Sequence, residues 1–206
     1  MSHAIITHWH FDHVGGIKDL LSLCPDAVIH KHNPTLGQKT IDDGQIFKTE
    51  GASLRAFHCP GHTTDHMALV LEEENAMFTG DNVLGHGTAV FEDLTTYLDS
   101  LAQMRKQFGG KAYPGHGEVI EDGRGRITEY ISHRKQREDE LLQALRRTDG
   151  EATPLELVKV VYEDVPENLH EAAANGALQV LQKLEGEGKV VSNGNGKWHI
   201  SGKPTL

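Results

Sequence analysis

The first 110 residues alternate between apolar and polar positions in a pattern that predicts short strands with helices between them. Strand patterns cover residues 1–7, 27–30, 53–58, 67–72 and 75–79, and Gly, Asp, Asn or Pro residues separate them. Apolar residues spaced three or four apart predict helices at 17–23 and 95–108. This mixture of elements predicts an α/β domain.

Beyond residue 125 the strand patterns give way to helical periodicity. Residues 126–147 predict a long amphipathic helix, and the polar break TDGE at 148–151 predicts a domain boundary. Thr153 and Pro154 are typical of the start of a helix, and a second helical pattern ends near Glu185. Two short apolar patterns flank NGNG at 193–196, which predicts a hairpin whose Asn-Gly pairs adopt positive φ. We therefore expect a larger domain at 1–147 and a small winged-helix domain at 151–206.

Composition narrows the class of protein. The chain has 206 residues, 37% of them hydrophobic, and no apolar run approaches the ~20 residues of a membrane span, so we expect a soluble, cytoplasmic protein. The net charge of −10 disfavours a general nucleic-acid surface, which relies on clustered Lys and Arg. Cys24 and Cys59 are too few for a disulfide framework and are expected to be small buried apolar residues in a reducing compartment.

The fourteen histidines are unusual, and three of them lie in the segment THWHFDH at 7–13. Neutral imidazole and carboxylate are preferred zinc ligands. Side chains two residues apart on an extended loop point the same way, so His8 and His10 can hold one ion. Asp12 and His13 can then turn towards a second ion. Three further candidates, His62, Asp81 and His116, each follow a glycine that permits a sharp turn.

The order of these motifs, HxHxDH, GHT, GD and GHG, resembles the metallo-β-lactamase superfamily from residue 7 to about 117. The resemblance implies an αββα sandwich with a dinuclear zinc site, two Zn²⁺ ions in all. It implies that the first zinc is held by His8, His10 and His62, the second by Asp12, His13 and His116, and that Asp81 bridges them. Asp12 is also a candidate catalytic residue, because a ligand beside the bridging hydroxide can orient it or accept its proton.

Within the superfamily, His13 after the aspartate and an aspartate at 81 resemble glyoxalase II-like hydrolases more than true β-lactamases. Segments at 63–66, 88–94 and 166–170 resemble two branches that carry a C-terminal winged helix. One branch comprises fungal thioesterases that release aryl polyketides from the acyl carrier domain of a polyketide synthase. The other is a mitochondrial endoribonuclease acting on single-stranded RNA. The thioesterase branch is favoured over the endoribonuclease. The expected partner is therefore an acyl carrier domain or a small acyl thioester, and nucleic acid is less favoured.

Two expectations concern what surrounds the site. Tyr130 and His133 on the long helix are candidates to line a pocket, with surface or packing roles favoured for both. In the superfamily several strands precede the first histidine motif, whereas here that motif starts at His8. The resemblance therefore implies a catalytic domain at 1–147 without its N-terminal strands, whose open edges favour poor folding or association into a homo-oligomer. An inactive remnant is the third hypothesis.

Overall fold

The computed structural model describes residues 1–148, 150–163 and 166–202. The chain divides into two compact units, Met1–Ile131 and Ser132–Leu206. This division falls inside the long helix, and the boundary at 148–151 that the polar break indicates remains a prediction. The elements up to that break are β1 (His3–Ile6), α1 (Phe11–Val14), α2 (Ile17–Leu23), β2 (Val28–Lys31), β3 (Lys39–Thr40), β4 (Ile46–Thr49), β5 (Ala52–His58), β6 (Met67–Leu71), β7 (Ala76–Gly80), α3 (Leu94–Gln107), β8 (Ala112–Pro114) and α4 (Gly123–Arg147).

Two β-sheets pack face to face in the first unit. One is a parallel sheet of order β1-β2-β3, and the other has the order β4-β5-β6-β7-β8, with antiparallel pairs except for parallel β7 and β8. Between the sheets, Ile5 of β1 packs against a buried cluster that includes Ala56, Met67 and Leu69 of the other sheet. Burial of these apolar faces is what holds the two layers together.

Strand β6 is buried on both faces, as expected for the centre of a layered domain. Met67 and Leu69 face the other sheet, while Ala68 and Val70 alternate with them and are also buried. Helix α3 begins at the Asp93 N-cap, whose carboxylate accepts the Thr96 N–H at 2.7 Å. Its buried side chains recur at helical spacing: Leu94, Tyr97, Leu101 and Met104.

Most predicted elements are confirmed to within a few residues, but strands β3, β4 and β8 were missed. Strand β4 is largely exposed, and β3 and β8 have only two and three residues, so none carries a clear apolar alternation. The extended loop expected to carry His8 and His10 ends at His10, because α1 begins at Phe11. His8 and His10 precede that turn, while Asp12 and His13 lie in it.

The second unit contains a helix pair and a hairpin: α5 (Pro154–Val161), α6 (His170–Gly186), β9 (Val190–Ser192) and β10 (Trp198–Ile200). Thr153 forms the predicted cap, as a capping box with Glu156. In the hairpin turn Gly194 and Gly196 have positive φ, but the preceding asparagines do not, so that expectation for whole Asn-Gly pairs is wrong. No helix among the described residues is long and apolar enough to cross a membrane.

Candidate metal centre

The ligand candidates are brought to one place by the ends of strands. His8 follows β1, His62 follows β5, Asp81 follows β7 and His116 follows β8. Strands β5, β7 and β8 run in the same direction, so their carboxyl ends lie at the same edge of the sheet. The seven predicted side chains form two groups, the first His8, His10, His62 and Asp81, the second Asp12, His13 and His116.

The first group has the spacing of a zinc coordination shell. His10 Nδ1 lies 3.0 Å from His8 Nε2 and 3.1 Å from His62 Nε2. Asp81 Oδ2 lies 3.9 Å from each of those two Nε2 atoms. Ligand atoms on a tetrahedral zinc, with bond lengths of about 2.0–2.1 Å, are separated by about 3.3 Å. The four atoms therefore fit around one ion.

The second group has similar spacing, and the Asp81 carboxylate also lies close to its imidazole nitrogens. His116 Nε2 lies 3.3 Å from His13 Nε2 and 3.0 Å from Asp12 Oδ2. Asp81 Oδ1 is 3.4 Å from His13 Nε2, and its Oδ2 is 3.3 Å from His116 Nε2. Among the described residues no hydrogen-bond donor reaches the buried Oδ1 of Asp81. A buried carboxylate oxygen without a donor is suited to a cation, so Asp81 fits between two metals.

Electrostatics keep three of these side chains in the protonation states that bind metals. Burial, followed by the neighbouring imidazole of His13, lowers the pKa of His8 to about 2, and burial likewise lowers the pKa of His62. Desolvation would raise the pKa of Asp12, but its backbone N–H and the imidazoles of His13 and His116 lower it instead. His8 and His62 are therefore neutral imidazoles, and Asp12 is an ionised carboxylate.

Comparison with known proteins fits this geometry. The metallo-beta-lactamase superfamily matches residues 33–116, and the beta-lactamase associated winged helix domain matches residues 153–198. The atrochrysone carboxyl ACP thioesterase dmxR1 of Cryptosporiopsis sp. is 44% identical over 98% of this chain and 69% of its own length. The chain belongs to the metallo-β-lactamase superfamily. The resemblance seen in the motifs and the winged-helix prediction are thereby confirmed.

Two further superfamily members extend the comparison. The lactamase-like protein ptaB of Pestalotiopsis fici is 45% identical over 92% of this chain and 64% of its own length. The metallo-beta-lactamase family protein TTHA1429 of Thermus thermophilus shares the fold with a TM-score of 0.77 at 23% identity, over 97% of this chain and 80% of its own. The chain spans 64–70% of the length of the curated relatives it matches.

Partners outside the superfamily motifs orient two ligand candidates, and one of these partners also fixes a tautomer. Thr7 Oγ1 lies 3.0 Å from His8 Nδ1, which leaves His8 Nε2 to face the other ligands. His62 Nδ1 donates to the carbonyl oxygen of Val90 at 2.8 Å, which leaves its Nε2 as a free acceptor. Sequence reasoning missed both partners. Thr7 directly precedes His8, so its place in the sequence could have indicated this contact. Nothing in the sequence connects Val90 with His62.

A buried ion pair supports the loop that carries His62. Lys31 of β2 donates to the Asp65 carboxylate, and both side chains are buried. Asp65 also accepts the Thr63 hydroxyl at 2.8 Å, one residue after His62. This pair was also missed, because a single lysine at the end of a strand gives no signal of burial.

The two candidates on the long helix have different positions. The Tyr130 hydroxyl is buried, donates to Gly87 O at 3.0 Å and accepts the Leu84 N–H at 3.2 Å. Tyr130 therefore has the packing role favoured for it and holds the loop that leads to Val90. His133 is half-buried in the second unit, and its role stays a prediction.

The lowered histidine pKa values predict how the metal-free protein responds to acid. Between the ordinary histidine pKa of 6.5 and the value of about 2 for His8, the unfolded chain binds protons that the folded chain does not. The free energy of unfolding of metal-free protein should therefore fall as the pH drops from 7.5 through 6.5 to 5. Urea unfolding at each pH measures this. A stability that stays constant or rises over that range contradicts the assignment of buried, neutral imidazoles.

Proposed function

We propose that this chain is a zinc-dependent thioesterase that releases an aryl polyketide, or a smaller acyl group, from the acyl carrier domain of a polyketide synthase. The observation that carries the proposal is Asp81, whose carboxylate lies within 3.3–3.9 Å of ligand nitrogens from both groups. The name of the 44% identical relative, an ACP thioesterase, supports the choice of substrate.

The choice of zinc rests on the chemistry of the donors. Imidazole nitrogens and carboxylate oxygens at tetrahedral spacing suit zinc. His8, His10 and His62 would hold one ion, Asp12, His13 and His116 the other, and Asp81 would bridge them. When bound, a zinc pair supplies an activated water and polarises a carbonyl oxygen. Hydrolysis of the thioester consumes that water and yields a carboxylic acid and a free thiol.

Asp12 is proposed to assist in proton transfer. Its side chain is 56% exposed and faces His116 at 3.0 Å, so it can contact both a ligand and incoming water. Its lowered pKa keeps the carboxylate ionised at neutral pH, as a proton acceptor must be. A carboxylate in this position can orient the attacking water and pass its proton to the departing thiolate.

Exposed apolar side chains flank the ligand candidates and favour an acyl substrate over a polyanion. Trp9 lies between His8 and His10 and is 51% exposed, and Phe11 next to Asp12 is 84% exposed. Val90, whose carbonyl holds His62, is 71% exposed. Apolar surface of this kind gains free energy by covering an aromatic or aliphatic acyl group. The net charge of −10 does not favour binding of the negatively charged RNA backbone.

The proposal is tested by offering the metal-loaded protein two substrates. We expect it to hydrolyse an aryl thioester of a pantetheine-type thiol, measured as thiol release, and to leave single-stranded RNA intact. Chelation should abolish the activity, and zinc should restore it. RNA cleavage without thioester hydrolysis would favour the endoribonuclease alternative instead. Failure with both substrates, despite bound metal, would contradict the enzyme proposal.

A further inference from the structure

One buried histidine of the site region is not among the candidate ligands. His66 has no exposed surface, and its two ring nitrogens contact different groups. Nε2 accepts the backbone N–H of Asp81 at 3.0 Å, and Nδ1 lies 3.2 Å from Cys59 Sγ. Because a backbone N–H can only donate, Nε2 must be the unprotonated nitrogen of a neutral ring. The ring proton is therefore on Nδ1 and points to the Cys59 sulfur.

The backbone around Asp81 is shaped to admit this imidazole. Gly80 has φ +51°, in the left-handed region, and a Cβ added there would lie 2.5 Å from His66 Nε2. On the other side, a Cβ at Gly115 would lie 2.3 Å from Asp81 Oδ1. Only glycine at both positions lets the ring and the carboxylate take their places. His66 thus fills a space that the Asp81 turn leaves open.

The other end of the connection is equally fixed. The Cys59 N–H donates to His66 O at 3.0 Å, and Cys59 O accepts from Asn82 Nδ2 at 2.7 Å. Asn82 is buried and follows Asp81 directly. The turn at 80–82 is therefore attached to the Cys59–His66 pair on both sides of Asp81, through the Asp81 N–H and through the Asn82 side chain.

From this geometry we propose that His66 is a positioning residue, which orients the bridging Asp81 for both metals while Cys59 fixes its tautomer. This inference rests on the proposed metal site. The hydrogen bond to Nε2 holds the Asp81 backbone, and the carboxylate then reaches His13 and His116 at 3.4 and 3.3 Å. Substituting a residue that hydrogen-bonds to a metal ligand typically weakens metal binding by about 10–100-fold.

Two matched substitutions test the position of the acceptor. Glutamine has a terminal group near the place of Nε2, whereas asparagine reaches only as far as Nδ1. His66→Asn should therefore weaken zinc binding, measured by competition with a chelator, by about 10-fold or more. His66→Gln should stay within about threefold of wild type, and the visible spectrum of cobalt-loaded protein should change only in His66→Asn. Wild-type affinity in His66→Asn, or equal losses in both variants, would overturn the inference.

A measurement on the wild-type protein tests the inference even if the variants fail to fold. Nitrogen NMR of wild-type, metal-free protein should show His66 as the neutral tautomer protonated at Nδ1. Protonation at Nε2 would overturn the inference, whether or not any variant folds. Neither measurement uses a thioester. A wild-type chain that binds no metal would refute the proposed function, whereas the tautomer result bears on His66 alone.

Discussion

Replacing Asp81 with alanine should remove at least one metal from the protein and lower thioester hydrolysis by about 1,000-fold or more. The carboxylate lies within 3.9 Å of ligand nitrogens from both groups, so its loss opens both coordination shells. A loss of that size corresponds to about 4 kcal/mol of transition-state stabilisation, which is within what a metal pair supplies. Elemental analysis and kcat/KM on the same preparation measure the two effects.

Asp26 offers a matched control for this change. It is exposed and lies outside both ligand groups, so Asp26→Ala should keep wild-type metal content and activity. Circular dichroism of both variants checks that the fold is retained. If Asp81→Ala keeps two metals per chain, or keeps more than a tenth of the activity, the bridging role assigned to Asp81 is wrong.

Replacing Lys31 with methionine should destabilise the protein by about 3–5 kcal/mol, because it leaves the Asp65 carboxylate buried without its cation. Lys31 also donates to the carbonyl oxygens of His32 at 3.1 Å and Asn33 at 3.4 Å. The change should loosen the loop that carries His62, since Asp65 accepts the Thr63 hydroxyl there. Urea unfolding of the metal-free protein measures the loss.

Two comparisons separate the ion pair from general effects of removing a lysine. Lys18→Met changes an exposed lysine on α2 and should shift the free energy of unfolding by less than about 0.5 kcal/mol. The double variant Lys31→Met with Asp65→Asn removes both charges and should be more stable than Lys31→Met alone. A Lys31→Met protein as stable as Lys18→Met would show that the pair contributes nothing to the loop.

The ligand set could be predicted from the sequence because its chemistry is concentrated in short motifs. His8, His10, Asp12 and His13 lie within six consecutive residues, and the remaining candidates each follow a glycine. Such density of metal-binding side chains has few other physical explanations. The structure places the candidates in the two groups that the resemblance implied, while their role as ligands remains to be measured.

The supporting contacts could not be predicted, because they depend on tertiary structure. Lys31 and Asp65 are 34 positions apart, and Val90 holds His62 across 28 positions. His66 lies in the segment 63–66 that contributes to the family resemblance, but only the fold reveals that its Nε2 faces the Asp81 backbone. Cys59 was expected to be a buried apolar residue, and it is buried, but its sulfur also contacts His66. Strand β4 was not predicted because its side chains are mostly exposed and give no apolar alternation.

The most direct test of the dinuclear site is a calorimetric titration of metal-free protein with zinc, joined to elemental analysis of the product. Two ligand groups that share Asp81 predict saturation at two zinc ions per chain. His8 and His62 should contribute no protons to the release on binding at neutral pH, because their lowered pKa values already leave them neutral. Saturation at a single ion, or no binding at all, would contradict the account.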